Sequence, residues 1–396
     1  MSTSSVPDTR ASNDPAGTAT LPVDPQTGEL LRRFHFDRLT FERLRRRLRE
    51  EGPQWANTTI GGRISSLAGG DVTTLPAAGS AAHARLAELG ARAMRAGEVA
   101  GVVLAGGMAT RFGGQIKAAV PVMRARSFLD LKVADFRRVA AQTRAPRLPV
   151  HLMASVATRS ALEPLARALS SPAVPVACFN QCASLRLTPD GDVFRDDEGR
   201  PSLYATGHGD LVEALANARL LRAFADAGVK YLLVSNVDNL AASPDAAIVG
   251  AHVAGARPVT VEVVGRRPGD AGGAVLRVDH RPQIVESFRL PAGTGLDDTP
   301  IFNTNTFVLS VAALSAELPF DHHPVRKTVS GRPTIQFERL LGEITSVLPT
   351  HLLRVPRGGL EGRFVPIKEP GDLEARRPEL GAMLRARGVL DQRPGE

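Results

Sequence analysis

Cysteine is almost missing: Cys178 and Cys182 are the only two in 396 residues. Two thiols are too few for a disulfide framework or a four-ligand zinc site, so stability has to come from a packed core. Aromatic residues make up 5% of the chain, with one tryptophan and two tyrosines, which leaves no obvious platform for stacking bases. No run of about 18 apolar residues occurs, so no membrane-spanning helix and no membrane partner are expected. The N-terminal MSTSSVPDTRASNDPAG lacks the basic and apolar regions of a signal peptide, and the expected location is cytoplasmic.

Lysine is scarce as well. Of 49 basic residues only five are lysine: Lys117, Lys132, Lys230, Lys327 and Lys368. Where charge alone matters, arginine has taken over, so lysine should persist where a compact ammonium is needed. The net charge of +8 suggests nucleic acid at first. The basic residues are spread along the whole chain, however. Their densest group, Arg43, Arg45, Arg46, Arg47 and Arg49, reads as a solvated or docking face of a helix. No nucleic-acid partner is expected.

What is present is a hydrophobic fraction of 43%, enough for one large α/β domain with additions. Residues 1–28 read as a disordered tail, poor in large apolar groups. Residues 29–97 read as a helical N-terminal region, with one helix over 29–50 and another over Ala81–Ala96. From Val99 the pattern changes. Apolar runs at Val99–Ala105, Val150–Ala154, Val174–Phe179, Tyr231–Ser235 and Val259–Val264 alternate with helical patterns at Phe128–Gln142, Arg159–Leu169, Leu211–Ala227 and Asp245–Val253. Alternation of this kind predicts a Rossmann-like α/β domain over 98–350, with a mostly parallel mixed sheet. Pro189-Asp190-Gly191 marks an inserted hairpin. Residues 351–396 form a short α+β C-terminal segment: strands near Leu352–Val355 and Phe364–Ile367, then a helix over Asp372–Arg387.

Five segments carry chemistry. Leu104-Ala-Gly-Gly-Met-Ala-Thr-Arg-Phe-Gly-Gly-Gln-Ile-Lys117 runs from a buried strand into paired glycines, whose backbone can approach a base or phosphate closely. Arg111 and Lys117 add positive charge for a triphosphate. The segment matches neither the Walker loop nor the dinucleotide fingerprint. Gly207-His208-Gly209-Asp210 precedes a helical pattern, a geometry suited to phosphate. Asn236-Val237-Asp238-Asn239 ends an apolar strand, where ligands bind in open α/β sheets. An aspartate there is a natural Mg²⁺ ligand beside a triphosphate. Asn303 and Asn305 can donate to and accept from sugar hydroxyls. Lys368 closes a strand-like segment and could reach phosphate.

In this order the motifs, with Phe179-Asn180-Gln181 and the Gln336 segment, resemble the eukaryotic-type UTP–glucose-1-phosphate uridylyltransferase family, related to the UDP-N-acetylhexosamine pyrophosphorylases. The resemblance covers about residues 98–373. It implies a Mg²⁺-dependent attack of a sugar 1-phosphate oxygen on the α-phosphorus of a nucleoside triphosphate, releasing pyrophosphate. It also implies roles. Leu104, Ala105, Gly106 and Gly107 hold the nucleotide through their backbone, and Gln181 and Gly207 contact the base. Arg111 and Lys117 bind the triphosphate, and Asp238 holds Mg²⁺. His208, Asn236 and Asn305 touch the sugar phosphate, and Lys368 neutralises charge at the reacting centre. Lys327 is expected to face the same site.

Departures from the pattern are Ile116, where the family often has proline before the lysine, and Ala205-Thr206, where proline is common before the GHGD loop. No counterpart of the eukaryotic C-terminal β-helix is seen, and the oligomeric state stays open. The first expectation is therefore UTP with glucose 1-phosphate. The second is the same chemistry with another nucleotide such as GTP, or a cyclitol phosphate. A third, of a different class, is a nucleotide-sugar-binding protein without turnover.

Overall fold

The computed structural model describes residues 23–52, 59–109, 112–123, 125–270, 272–291, 293, 299–315 and 318–391. One sheet of 11 strands organises them. In chain order these are β1 (Ile64–Ser65), β2 (Val72–Thr74), β3 (Val99–Leu104), β4 (Val150–Ala154), β5 (Val176–Asn180), β6 (Tyr231–Asn236), β7 (Val259–Gly265), β8 (Ala274–Val278), β9 (Arg281–Val285), β10 (Ile301–Ser310) and β11 (Thr350–Arg354). The main path runs β2-β11-β7-β10-β6-β3-β4-β5, with β1, β8 and β9 attached through β10. Every pair along that path is parallel except the two made by β10.

Strand periodicity explains the two cores. Along β3, Val99 and Val103 point to one face, and Ala100, Val102 and Leu104 point to the other. The first face is covered by α3 (Ala81–Arg95), α4 (Phe128–Thr143), α5 (Arg159–Leu169), α8 (Ala246–Gly255) and α10 (Pro370–Ala386). The second is covered by α6 (Leu211–Asn217), α7 (Leu220–Asp226) and α9 (Ile344–Val347). Both faces of β3 are therefore dry, and those of β6 nearly so, which is why these two strands read as apolar runs. Helix starts follow local chemistry: Ser127 and Asp130 close a capping box on α4, and the Asp245 side chain accepts from Ala247 N–H at α8.

Several sequence boundaries need correction. The tail expected over 1–28 ends earlier, because Asp24 caps α1 (Pro25–Arg33) and Pro25 sits in its first turn; residues 1–22 lie outside the described residues. The single helix expected over 29–50 is α1 plus α2 (Arg38–Glu51). His35 at φ 52° turns the chain between them, and Asp37 caps the second. Their apolar faces pack with Leu185, Leu187, Ile335 and Phe337 of two β-ribbons. Arg45 donates to the Gly191 carbonyl and Arg49 pairs with Asp192 at 2.7 Å, so the arginine cluster docks on the inserted hairpin.

The region 29–97 is not purely helical, since β1 and β2 join the sheet. The boundary at 351 cuts β11, which pairs in parallel with β7. The helix expected over 211–227 breaks into α6 and α7 at Arg219, which is left-handed at φ 57°. The strand expected at Phe364–Ile367 is a single bridge between Pro366 and Asn239, because proline has no N–H to extend a ladder.

Helices α3 and α8 cross at two glycines. A Cβ on Gly90 would lie 1.9 Å from the Ala246 carbonyl oxygen, and one on Gly250 would lie 1.8 Å from that of Leu86. Gly90→Ala is therefore expected to destabilise the protein by about 1–3 kcal/mol through overpacking. The check is the urea midpoint, and an unchanged midpoint would mean that the two helices separate freely.

Candidate functional site

The carboxyl ends of β3, β4, β5 and β6 finish side by side. Leu104 is in register with Asn236 on one side and Met153 on the other, and Ala154 with Asn180. Where the ladders stop, backbone groups and polar side chains become free to meet a ligand. Leu104 and Ala105 are buried at this edge, and Ala105 N–H still bonds to the Met153 carbonyl. Gly106 follows, its carbonyl held by the Ser155 hydroxyl at 2.8 Å. Gly107 is exposed. A short ribbon of Met108–Ala109 with Gln115–Ile116 then folds the chain back, so that Lys117 N–H donates to the Gly107 carbonyl. Thr110 and Arg111 lie outside the described residues.

Three of the proposed nucleotide contacts are mutual neighbours. A Cβ on Gly106 would stand 2.5 Å from Gln181 Oε1, and Gln181 Nε2 donates to the Gly207 carbonyl at 2.6 Å. Gly207 has φ 95°, and a Cβ there would meet the Arg339 carbonyl oxygen at 2.4 Å, so only glycine fits this turn. The loop is pinned from behind: Arg339 N–H donates to Thr206 and Gly209 N–H donates to Arg339. His208 Nδ1 accepts from Leu341 N–H at 3.0 Å, which puts its proton on Nε2. Burial lowers its pKa, so the imidazole is neutral at pH 7. Asp210 has no exposed surface. Burial pushes its carboxyl up to about 7, against the pull of Arg339 and of the Thr206 hydroxyl.

The second half of the site comes from β6 and β10. The pairing of β10 with β7 shifts between Val261 and Val263. At this bulge Asn305 adopts φ 55°, and Thr304 Oγ1 donates to the Glu262 carbonyl. Bulges re-aim side chains. Here Asn305 Nδ2 reaches Asn236 Oδ1 at 3.0 Å, so these two asparagines meet across the strands. Asn303 accepts the backbone N–H of Asn305 and stabilises that turn. Two residues past Asn236, Asp238 forms an ion pair with Lys117, each side chain 16% exposed.

The engaged oxygen is Asp238 Oδ2. A single carboxylate at a strand end suits magnesium, which takes most of its ligands from phosphate and water. Among the described residues Asp238 belongs to no preformed set of three ligating groups. Among the described residues that arrangement occurs at Asp321, His323 and Glu343. There Arg289 and His323 both bond Glu343 Oε1, so it reads as an ion-pair hub. Lys368 is exposed and lines a cleft of about 220 Å³ with Arg267, Arg357 and Phe364. The Asn239–Pro366 bridge brings its segment alongside the Asp238 loop.

The remaining lysines divide cleanly. Lys230 pairs with Glu98 on the surface, and Lys327 is exposed, 3.7 Å from Glu338 on a ribbon. Gln336 bonds Arg186 and Glu338 in that ribbon and takes no part in the cluster around Gln181. Sequence reasoning missed Ser155, Arg339 and the buried pair Arg363–Glu262. Nothing local marks them, since each acts through a partner far away along the chain.

A family model described as UTP–glucose-1-phosphate uridylyltransferase matches residues 65–383. Among curated proteins, UTP–glucose-1-phosphate uridylyltransferase 2 of Dictyostelium discoideum is 28% identical over 295 residues, 70% of this chain and 58% of that protein. The Saccharomyces cerevisiae UTP–glucose-1-phosphate uridylyltransferase is 28% identical over 276 residues, covering 65% of this chain and 54% of its own length. The chain thus spans a little over half the length of these relatives. A putative UDP-N-acetylglucosamine pyrophosphorylase from Entamoeba histolytica superimposes with TM-score 0.67 at 16% identity, covering 78% of this chain and 84% of that one. A Leishmania major UDP-glucose pyrophosphorylase variant gives 0.65 at 21%, covering 81% and 71%. At this identity the likeness shows the fold.

The Asp210 carboxyl makes a pH prediction. Its pKa rises from 3.8 unfolded to about 7 folded, so the native state holds a proton that the unfolded state releases. Its contribution to stability therefore falls as pH rises through that window and levels off above it. Asp210→Asn is expected to raise the unfolding midpoint far more at about pH 8 than at about pH 4. An equal shift at both would mean that Asp210 ionises normally.

Proposed function

The chain belongs to the UTP–glucose-1-phosphate uridylyltransferase family, and from that premise we propose that it is a sugar-1-phosphate nucleotidyltransferase, joining UTP to glucose 1-phosphate and releasing pyrophosphate. The observation that carries the reading is the meeting of two pairs at one sheet edge. Asn236 bonds Asn305, and Lys117 pairs with Asp238, beside the Gly106–Gln181–Gly207 cluster.

In this reading Gln181 and the backbone of Gly106 and Gly207 take the base. Arg111 and Lys117 hold the triphosphate, and Asn236 and Asn305 take sugar hydroxyls through their amides. A neutral His208 with its proton on Nε2 donates to the sugar phosphate. An oxygen of that phosphate attacks the α-phosphorus in line as the bond to pyrophosphate breaks. The chain's contribution is positioning and charge stabilisation. Asp238 would hold magnesium, which neutralises charge on the triphosphate when bound. Its present partner, Lys117, would then be released toward phosphate. Lys368 supplies a further ammonium from the neighbouring segment. We place the reaction in the cytoplasm, a compartment in which free thiols such as Cys178 and Cys182 stay reduced.

The test is pyrophosphate release with Mg²⁺ across nucleoside triphosphates and sugar or cyclitol 1-phosphates. Preference for UTP with glucose 1-phosphate is expected. Preference for another pair keeps the mechanism and changes the substrate, and no turnover with any pair would leave a binding protein. Asp238→Ala is expected to lose nearly all turnover, and activity within a few-fold of wild type would remove its metal role. Lys368→Ala is expected to lower kcat more than it weakens nucleotide binding, and equal losses in both would place Lys368 in ground-state binding.

A further inference from the structure

Lys132 is the one buried member of the chain's five lysines, at 1% exposure. It projects from α4 and ends on two backbone carbonyls, Asn239 at 2.8 Å and Ala242 at 2.7 Å. Among the described residues no carboxylate stands within ion-pair distance of it. Burying an ammonium without a direct counter-ion is costly, so such a group persists where its hydrogen bonds matter. Burial pushes its pKa down to about 8, and the charges of Asp135, Asp238 and Glu262 work in the other direction. At pH 7 it remains mostly protonated.

Both carbonyls belong to the loop that starts at Asp238. A second side chain of α4 has the same target. Arg138, six residues on, donates to the Ser243 hydroxyl at 3.0 Å and is held by Asp135 on the turn between. From the opposite side, Asn239 donates to the Arg363 carbonyl and accepts from Val365 N–H. Arg363 in turn bonds the Ser243 carbonyl and both oxygens of Glu262. The loop is thus gripped between α4 and the segment that leads to Lys368. A compact ammonium with three donors meets both carbonyls of one turn in this enclosed space, whereas an arginine brings a planar fork of fixed shape, as Arg387 does where it spans the Ala241 and Gly362 carbonyls. This accounts for a lysine here in a chain that uses arginine almost everywhere else.

We propose that Lys132 is a positioning residue for the cation site: its ammonium fixes the backbone after Asp238, and so the direction in which that carboxylate faces the triphosphate. The inference rests on Asp238 being the cation ligand. It also makes a prediction of sign. As a bystander charge, Lys132 would repel a divalent ion, and removing it would tighten cation binding. As a positioning residue, its removal loosens cation binding.

The experiment measures Mn²⁺ binding in the presence of UTP by electron paramagnetic resonance, together with kcat and KM, for wild type, Lys132→Met, Arg138→Ala and Asp238→Ala. Lys132→Met is expected to weaken Mn²⁺ about tenfold or more and to lower kcat by a similar factor. KM for the sugar phosphate should move little. Arg138→Ala, which cuts a neighbouring tie and keeps the buried ammonium, is expected to act in the same direction more weakly. It carries the test if Lys132→Met does not fold. Weakened Mn²⁺ binding in Asp238→Ala, with unchanged or tighter binding in both other variants, overturns the positioning role and leaves the metal reading standing. Unchanged binding in Asp238→Ala overturns the metal reading, and the proposal with it.

Discussion

The loop after β6 holds its place because buried cations bond its backbone. Asn236 ends a parallel strand, and from there to Ser243 the chain has no ladder to satisfy its carbonyls. Lys132 takes those of Asn239 and Ala242, and Arg363 takes that of Ser243. Each of these cations is almost fully buried, so its hydrogen bonds operate at low local dielectric and are hard to replace. Asp238 and the segment leading to Lys368 both depend on this arrangement, as does the face that Asn236 turns toward Asn305.

The same network reaches the bulge in β10. Glu262 sits opposite the irregularity, its backbone carbonyl bonded by Thr304 and its carboxylate by Arg363. One residue of β7 therefore serves two needs. It satisfies the strand where pairing with β10 slips, and it neutralises the arginine that grips the loop. Antiparallel β10 between parallel neighbours makes this possible, because its chain direction lets Asn305 cross to the end of β6.

Much of the fold was legible along the chain. The apolar runs became β3 to β7; in β3 burial on both faces leaves no polar position to break the pattern, whereas β7 keeps Thr260 and Glu262 buried and hydrogen-bonded. The helix over Arg159–Leu169 appeared with those bounds, and Ser127 and Asp245 stood where caps were needed. Errors gathered where tertiary contacts override local pattern. Arg219 turns left-handed inside an apolar helical stretch, β2 is recruited to a sheet edge, and Phe364–Ile367 makes a single bridge. The rarity of lysine was informative in a way its motifs were not. It marked five positions alike, and only the structure separates them: Lys230 and Lys327 pair on the surface, Lys368 is exposed, Lys117 pairs with Asp238, and Lys132 is buried against the loop after β6.

Residue order alone determined the alternating α/β plan, the strand ends where polar clusters sit, and the sequence of motifs that marks the family. These are local properties, written in apolar period and in glycine and capping chemistry. Only the tertiary structure decided which of those residues meet. Gln181 reaches Gly207 across 26 positions, Asn305 reaches Asn236 across 69, and Lys117 reaches Asp238 across 121. Such pairings depend on strand register and on one bulge, and register is a property of how whole strands share a core.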